Sequence, residues 1–288
     1  MKKLLVLQEP GVSAKETRKI AGRILPRWTI TQGNEPDGHS AIITVRRPVD
    51  RGMMKKLAGG MVSVAFTGYD HIDMDSAREF GIALSNVPGY STESVAELAF
   101  ALTVMSMRDP RRTFGIELRG KTAGIIGTGN IGIETAKLFR AAGCSVLGWS
   151  RSEKSSFPGD YVTLESLLGD SDVVSLHIPL NPETELFLNR AKMRLMKRGA
   201  ILVNTARGAL VDQEAMEEML LKGQLGGAGL DVTTPEPLPE GHSLTAIPGV
   251  VVTPHIGYKT QEALRKRTHE ALLNIASWER GERRNRID

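Results

Sequence analysis

The stretch "GIIGTGNIG", residues 124–132, sets Gly127, Gly129 and Gly132 in G-x-G-x-x-G spacing, directly behind an apolar run and ahead of a helical pattern. Each glycine answers a separate physical demand. The first permits a very tight turn, the second lets a ligand approach the backbone, and the third lets the helix close on the strand. Asn130, Ile131 and Gly132 open that helix. The first N–H groups of a helix have no partner inside it, so they favour an anion such as a pyrophosphate. The stretch therefore predicts a parallel sheet with crossover helices and a dinucleotide at one strand end.

The rest of the chain alternates in the same sense. Through the first ninety residues "KLLVL", "AIITV" and "VSVAF" read as strands, with helical segments near residues 14–24 and 74–80 between them. "NVPGYST" breaks the pattern, and Ser91 or Thr92 is placed to cap the helix "ESVAELAFALTVMSMR". A second series follows: "TAGIIG", a helix over 131–142, "SVLGW", "DVVSLHI", "AILVNT", a helix over 212–222, "GAGLDV" and "VVVTPHI". Six strands with crossovers describe a doubly wound sheet. The closing helix, residues 260–278, carries Leu264, Ala271, Leu272 and Ile275 on one face and is predicted to pack back on the first domain.

A length of 288 residues suits two domains, and 41% apolar with 24% charged residues is ordinary for a globular protein. The net charge of +4 is a small excess. The basic end "ERGERRNRID" reads as a solvated tail, without the interleaved aromatics or recognised module that nucleic-acid binding would ask for. Cys144 is the one cysteine; it excludes an intrachain disulfide and fits a reducing, cytoplasmic setting, with core packing as its role. "LLVL" behind two lysines is too short for an export signal, and the apolar run 95–107 is too short for a bilayer and holds Glu97. No membrane and no metal site are expected.

About twenty residues past such a glycine turn, an acid at the next strand end holds the ribose 2′-hydroxyl of NAD. Here that place, eighteen residues past Gly132, is taken by Ser150, followed by Arg151 and Ser152. A carboxylate would repel a 2′-phosphate, whereas a guanidinium and two hydroxyls bind one by charge-assisted hydrogen bonds. The segment predicts NADP(H) in preference to NAD(H). Its bland alternative is a solvated loop.

Polar groups then follow three consecutive strands, on the side where open parallel sheets bind ligands. Arg207 comes after "AILVNT", Asp231 and Glu236 after "GAGLDV", and His255 after "VVVT". Singly, an arginine in a loop meets solvent, a glutamate between prolines is a turn residue, and a lone histidine is structural. Together they are harder to dismiss.

These segments carry a resemblance. "GYDHID", "SVAELAFAL", "LRGKTAGIIGTGNIG", "SDVVSLHIPL", "NTARGALVD", "GLDVTTPEP" and "TPHIG" are similar to the successive signatures of the D-isomer-specific 2-hydroxyacid dehydrogenases, and the likeness runs through almost the whole sequence. It implies an α/β protein of two doubly wound parallel-sheet domains. A Rossmann-type NAD(P)-binding domain, 93–257, would be inserted into a flavodoxin-like substrate domain made of 1–92 and 258–288. It also implies roles. Arg207 would bind the carboxylate and carbonyl of a 2-oxo acid, and His255, paired with Glu236, would give the carbonyl oxygen a proton. Backbone N–H groups around Thr67 and Gly68 would hold the substrate carboxylate, and Asp231 would lie near the nicotinamide amide. Further coenzyme contacts are implied at His177, Pro179, Thr184, Thr205, Ala206 and Gly257, and a homodimer is implied for the assembly.

Three features depart from the family pattern. The link "DPRRTFGI" is short where most members carry a longer helix and loop that help form the dimer; Phe66 stands beside the carboxylate loop; and Tyr258 and Lys259 follow "HIG" where small residues are usual. "WSRS" with "GTGNIG" resembles the glyoxylate and hydroxypyruvate reductases, so a small 2-oxo acid is the first substrate class. The short link resembles instead the dehydrogenases of a phosphorylated hydroxy acid, the erythronate 4-phosphate dehydrogenases. A coenzyme-sensing binding protein or corepressor would keep the same residues.

Overall fold

The computed structural model describes residues 2–69 and 71–288, so Asp70 of the "GYDHID" segment lies outside the described residues. The chain forms two compact units, Met1–Ser91 with Lys259–Asp288, and Thr92–Tyr258.

The first unit holds β1 (Lys2–Val6), α1 (Ala14–Ile24), β2 (Trp28–Gln32), β3 (Ala41–Thr44), α2 (Arg51–Lys56), β4 (Met61–Val64), α3 (Met74–Glu79) and β5 (Ala83–Ser85), and later the last helix, α9 (Gln261–Glu279). Its five strands are parallel in the order β2-β1-β3-β4-β5, the flavodoxin-like winding. β3 and β4 are buried at every position, which is why they read as runs of apolar residues broken only by the small Thr44 and Ser63. Two strands escaped the pattern. β2 is an edge with polar, partly exposed positions, and β5 has three residues, too few for a periodicity. α9 packs on this sheet through Ala271, Leu272 and Ile275, and the Ser63 hydroxyl of β4 donates to the Ala271 carbonyl at 3.0 Å.

The second unit opens with α4 (Thr92–Met107), followed by β6 (Thr122–Ile126), α5 (Asn130–Ala141), β7 (Ser145–Trp149), β8 (Asp160–Tyr161), α6 (Leu164–Asp170), β9 (Val173–Leu176), α7 (Arg190–Leu195), β10 (Ala200–Asn204), α8 (Gln213–Leu221), β11 (Leu225–Leu230) and β12 (Val250–Val252). All seven strands are parallel in the order β12-β11-β10-β9-β6-β7-β8. Counted from β6, this is the Rossmann winding with one added strand, and its direction reverses between β6 and β9. The sheet has seven strands rather than the six read from sequence because β8 is a two-residue strand. β9 and β10 are buried throughout, and each fully buried Leu or Ile in them contributes about 1.5–3 kcal/mol. A side chain on Gly229 of β11 would lie 2.8 Å from Leu102 Cβ, so the glycines of that strand let α4 close on the sheet. Cys144, just ahead of β7, is buried with its thiol donating to the Leu118 carbonyl. Among the described residues, no helix is long and apolar enough to cross a membrane.

Candidate active site

Every polar group singled out in the second unit sits beyond the C-terminal end of one of its parallel strands. After β6, Gly127 adopts φ 98°, and a Cβ there would lie 2.5 Å from the His177 carbonyl oxygen. A Cβ on Gly132 would collide with the Gly127 carbonyl, while one on Gly129 would meet nothing within 4 Å. Gly127 and Gly132 thus make the turn, and Gly129 leaves an open face. Gly129 is also the cap of α5, with no side chain bonding to the first turn that Asn130 and Ile131 begin.

After β7, Ser150 is half-buried while Arg151 and Ser152 are exposed, with the Arg151 guanidinium 3.8 Å from the Glu183 carboxylate. After β9, His177 shares a hydrogen bond with the Ser175 hydroxyl at 2.9 Å. Loss of surrounding water pushes its pKa down to about 4, so it is neutral at physiological pH. Pro179 follows, and the Thr184 hydroxyl donates to its carbonyl at 2.7 Å, closing that loop.

The ends of β10, β11 and β12 are tied together. Buried Asn204 clamps the turn that follows it: its side-chain oxygen accepts from the Ala206 N–H at 3.0 Å and its amide donates to the Arg207 carbonyl at 2.8 Å. Half-buried Arg207 is thereby held at the turn, with Nη1 donating to the Ala206 carbonyl. The backbone ladder continues past the strands, from Asp231 N to the Asn204 carbonyl and from His255 N to the Asp231 carbonyl, both 2.9 Å. Asp231 is 2% exposed and its carboxylate turns toward the next segment. It accepts from the Thr253 hydroxyl at 2.6 Å and from the Ile256 and Gly257 N–H groups at 2.8 Å. His255 sits in that segment at φ 53°, a left-handed conformation rare outside glycine. Its Nδ1 lies 2.6 Å from Glu236 Oε1. An ionised carboxylate only accepts, so Nδ1 carries the hydrogen in this pair. The Tyr258 ring meets the imidazole edge to face, centroids 5.7 Å apart.

The family model described as "D-isomer specific 2-hydroxyacid dehydrogenase, NAD binding domain" matches residues 92–257. The chain belongs to the D-isomer specific 2-hydroxyacid dehydrogenase family. Among its relatives are a hydroxypyruvate reductase of Thermotoga maritima, 40% identical over 72% of this chain and 73% of its own, and a glyoxylate reductase of Thermofilum pendens, 36% identical over 96% and 90%. The crystal structure of the TT0316 protein from Thermus thermophilus superposes with a TM-score of 0.87 at 36% identity, covering 100% of both chains. Membership makes this an oxidoreductase-family chain with a nicotinamide dinucleotide as its coenzyme.

This family member's own residues fit a dinucleotide. Gly129 leaves room for a pyrophosphate against an uncapped helix start. Past β10 the Thr205 hydroxyl is buried, at 9% exposure, with no hydrogen-bond partner among the described residues, and a bound ligand would supply one. Thr67 and Gly68 lie in the first unit, after β4. The Thr67 hydroxyl donates to the Val87 carbonyl at 3.2 Å, and its own carbonyl accepts from the Asn86 side chain at 2.8 Å. In the same unit Phe66 is buried against Tyr90, with Arg46 over its ring at 5.0 Å. Asn204 and Thr253 carry no signal in the sequence. Both are ordinary polar residues whose parts emerge only when neighbouring strand ends are aligned.

Proposed function

We propose that this protein is an NADP(H)-preferring reductase that converts a small 2-oxo acid, of the glyoxylate or hydroxypyruvate kind, to the D-2-hydroxy acid. The observation that carries the reading is the 2.6 Å His255–Glu236 pair, which follows β12 and β11, with Arg207 following the adjacent β10. Arg207 offers a planar, permanently charged fork for a carboxylate and the adjacent carbonyl oxygen. Glu236 fixes the doubly protonated ring by its Nδ1–H, and Nε2 gives its own proton to the carbonyl oxygen as negative charge grows there, leaving the neutral ring with its hydrogen on Nδ1. The reduced nicotinamide, when bound, supplies the hydride to the carbonyl carbon. Ser150, Arg151 and Ser152 are assigned to the 2′-phosphate, although the family description speaks of NAD.

The hydroxypyruvate and glyoxylate reductases among the relatives support the choice of acid. A panel of glyoxylate, hydroxypyruvate, pyruvate, phenylpyruvate and a phosphorylated analogue, followed at the NADPH absorbance band, tests it. Oxidation by a small acid, lost by orders of magnitude in Arg207→Ala and His255→Ala, is the expected result. Silence with every acid, with coenzyme still bound, would make the protein a coenzyme sensor. The same reading places it in the cytoplasm as a homodimer. Exposed Phe114 in the short link, with exposed Met105 on α4, supports that assembly, and light scattering of the purified chain checks it.

A further inference from the structure

Tyr161, at the end of β8, lies next to Gly148 of β7. Its hydroxyl accepts from the Lys154 backbone N–H at 2.8 Å and donates to the Thr128 hydroxyl at 2.9 Å. Thr128, 1% exposed, is the residue between Gly127 and Gly129. One phenol oxygen thus joins the glycine turn after β6 to the 150–154 segment after β7. The ring itself is fixed. Phe157 packs against it with centroids 5.0 Å apart, in space that a side chain on Gly148 would fill. Arg140 of α5 donates to the Pro158 carbonyl at 2.5 Å, holding the following residue pair.

Residues 151–156 are all exposed, so packing does little to fix where they stand. A segment of that kind recognises a ligand well only if its position is set before the ligand arrives, because ordering it on binding subtracts from affinity. We propose that Tyr161 is a positioning residue for the coenzyme's adenosine end. It holds the 150–154 segment at a set distance from the glycine turn, so that Arg151 and Ser152 meet a ribose 2′-phosphate while the pyrophosphate rests at Gly129. The proposal rests on the NADP(H) reading above, and it makes selectivity a property of the spacing as well as of the charged group.

Calorimetric titration with two fragments, adenosine 2′,5′-bisphosphate and ADP, separates the two claims. Wild type should bind the 2′-phosphorylated fragment more tightly, and Arg151→Ala should lose that preference. Tyr161→Phe keeps the ring on Phe157 but breaks both hydrogen bonds. It should weaken the 2′-phosphorylated fragment about tenfold and ADP about twofold, and raise amide exchange at Lys154. Thr128→Val, which removes the other end of the link, should act in the same direction. A wild type that prefers the 2′-phosphorylated fragment, with Tyr161→Phe and Thr128→Val keeping that preference, overturns the positioning role and leaves the NADP(H) reading standing. A wild type without the preference overturns both.

Discussion

Replacing Asp231 by Asn tests how the histidine-bearing segment is held. The carboxylate is 2% exposed and accepts three hydrogen bonds, two on Oδ1 from Thr253 and Ile256 and one on Oδ2 from Gly257. Asn has nearly the same shape but one acceptor oxygen. If that oxygen serves Thr253 and Ile256, the new NH2 group faces the Gly257 N–H, donor against donor. A hydrogen bond to a charged group contributes about 1.5–3 kcal/mol, and a buried donor left without a partner costs about 1–3 kcal/mol. The substitution should therefore destabilise the 253–257 segment by about 3–5 kcal/mol, before any loss from the two bonds that are no longer charge-assisted. Because the segment can open by itself, hydrogen exchange of the peptide covering residues 250–258 is the direct assay. The Ile256 and Gly257 amides should lose protection by a hundredfold or more, since each 1.4 kcal/mol is about a factor of ten. Turnover should fall as well, because His255 loses its fixed direction. Unchanged protection at both amides would refute the reasoning, whatever the activity.

Other consequences follow from the same physics. His177 has its pKa lowered from 6.5 to about 4, so between those values the unfolded chain takes up a proton that the folded one refuses. Stability is therefore lost as pH falls through that window, by about 3 kcal/mol at about 1.4 kcal/mol per pH unit, and urea titrations of His177→Gln should show a flatter pH dependence than wild type. Buried Asp109 is held well below the usual carboxylate range chiefly by the Arg111 guanidinium, against the opposing effect of burial, and it accepts from the Gly249 N–H at 2.7 Å. Because Arg111 is itself exposed to water, Asp109→Ala should cost about 1–2 kcal/mol in urea unfolding at neutral pH, mostly from the Gly249 N–H left without its acceptor. The gap should narrow only in acid, as pH drops toward the depressed folded value; a gap independent of pH would contradict the ion-pair account. Tyr258→Ala, which removes the ring that meets His255, should lower kcat several-fold; an unchanged kcat would show that the ring contact does not orient the imidazole.

What the sequence made legible follows from where each signal is stored. β9 and β10 declare themselves because both faces are covered, so every residue but the terminal Asn204 is apolar or small. The glycine turn is equally plain, since Gly127 and Gly132 are demanded by local geometry. Harder to see were β2, whose edge position admits polar residues, and β8, which is two residues long. The link "DPRRTFGI" reads in the sequence as a short connector. In the structure that connector is also a clamp, with Arg111 donating to the Thr245 and Val250 carbonyls at 2.7 Å. That contact spans more than a hundred residues, and no spacing rule reports it. Arg207, Glu236 and His255 were visible as a pattern of strand ends, while the bonds through Asn204, Asp231 and Tyr161 depend on side-chain directions that only the folded sheet fixes.

The seat of α9 on β4 also sets an order of events during synthesis. A ribosome delivers the whole of residues 92–258 before it makes the helix that covers Ser63 and its neighbours. The middle of the chain can reach its final form on emerging, while the part made first must wait with the face of β4 beside α1 uncovered. Chains stalled or cut ahead of residue 260 should thus be sticky through their oldest residues rather than their newest.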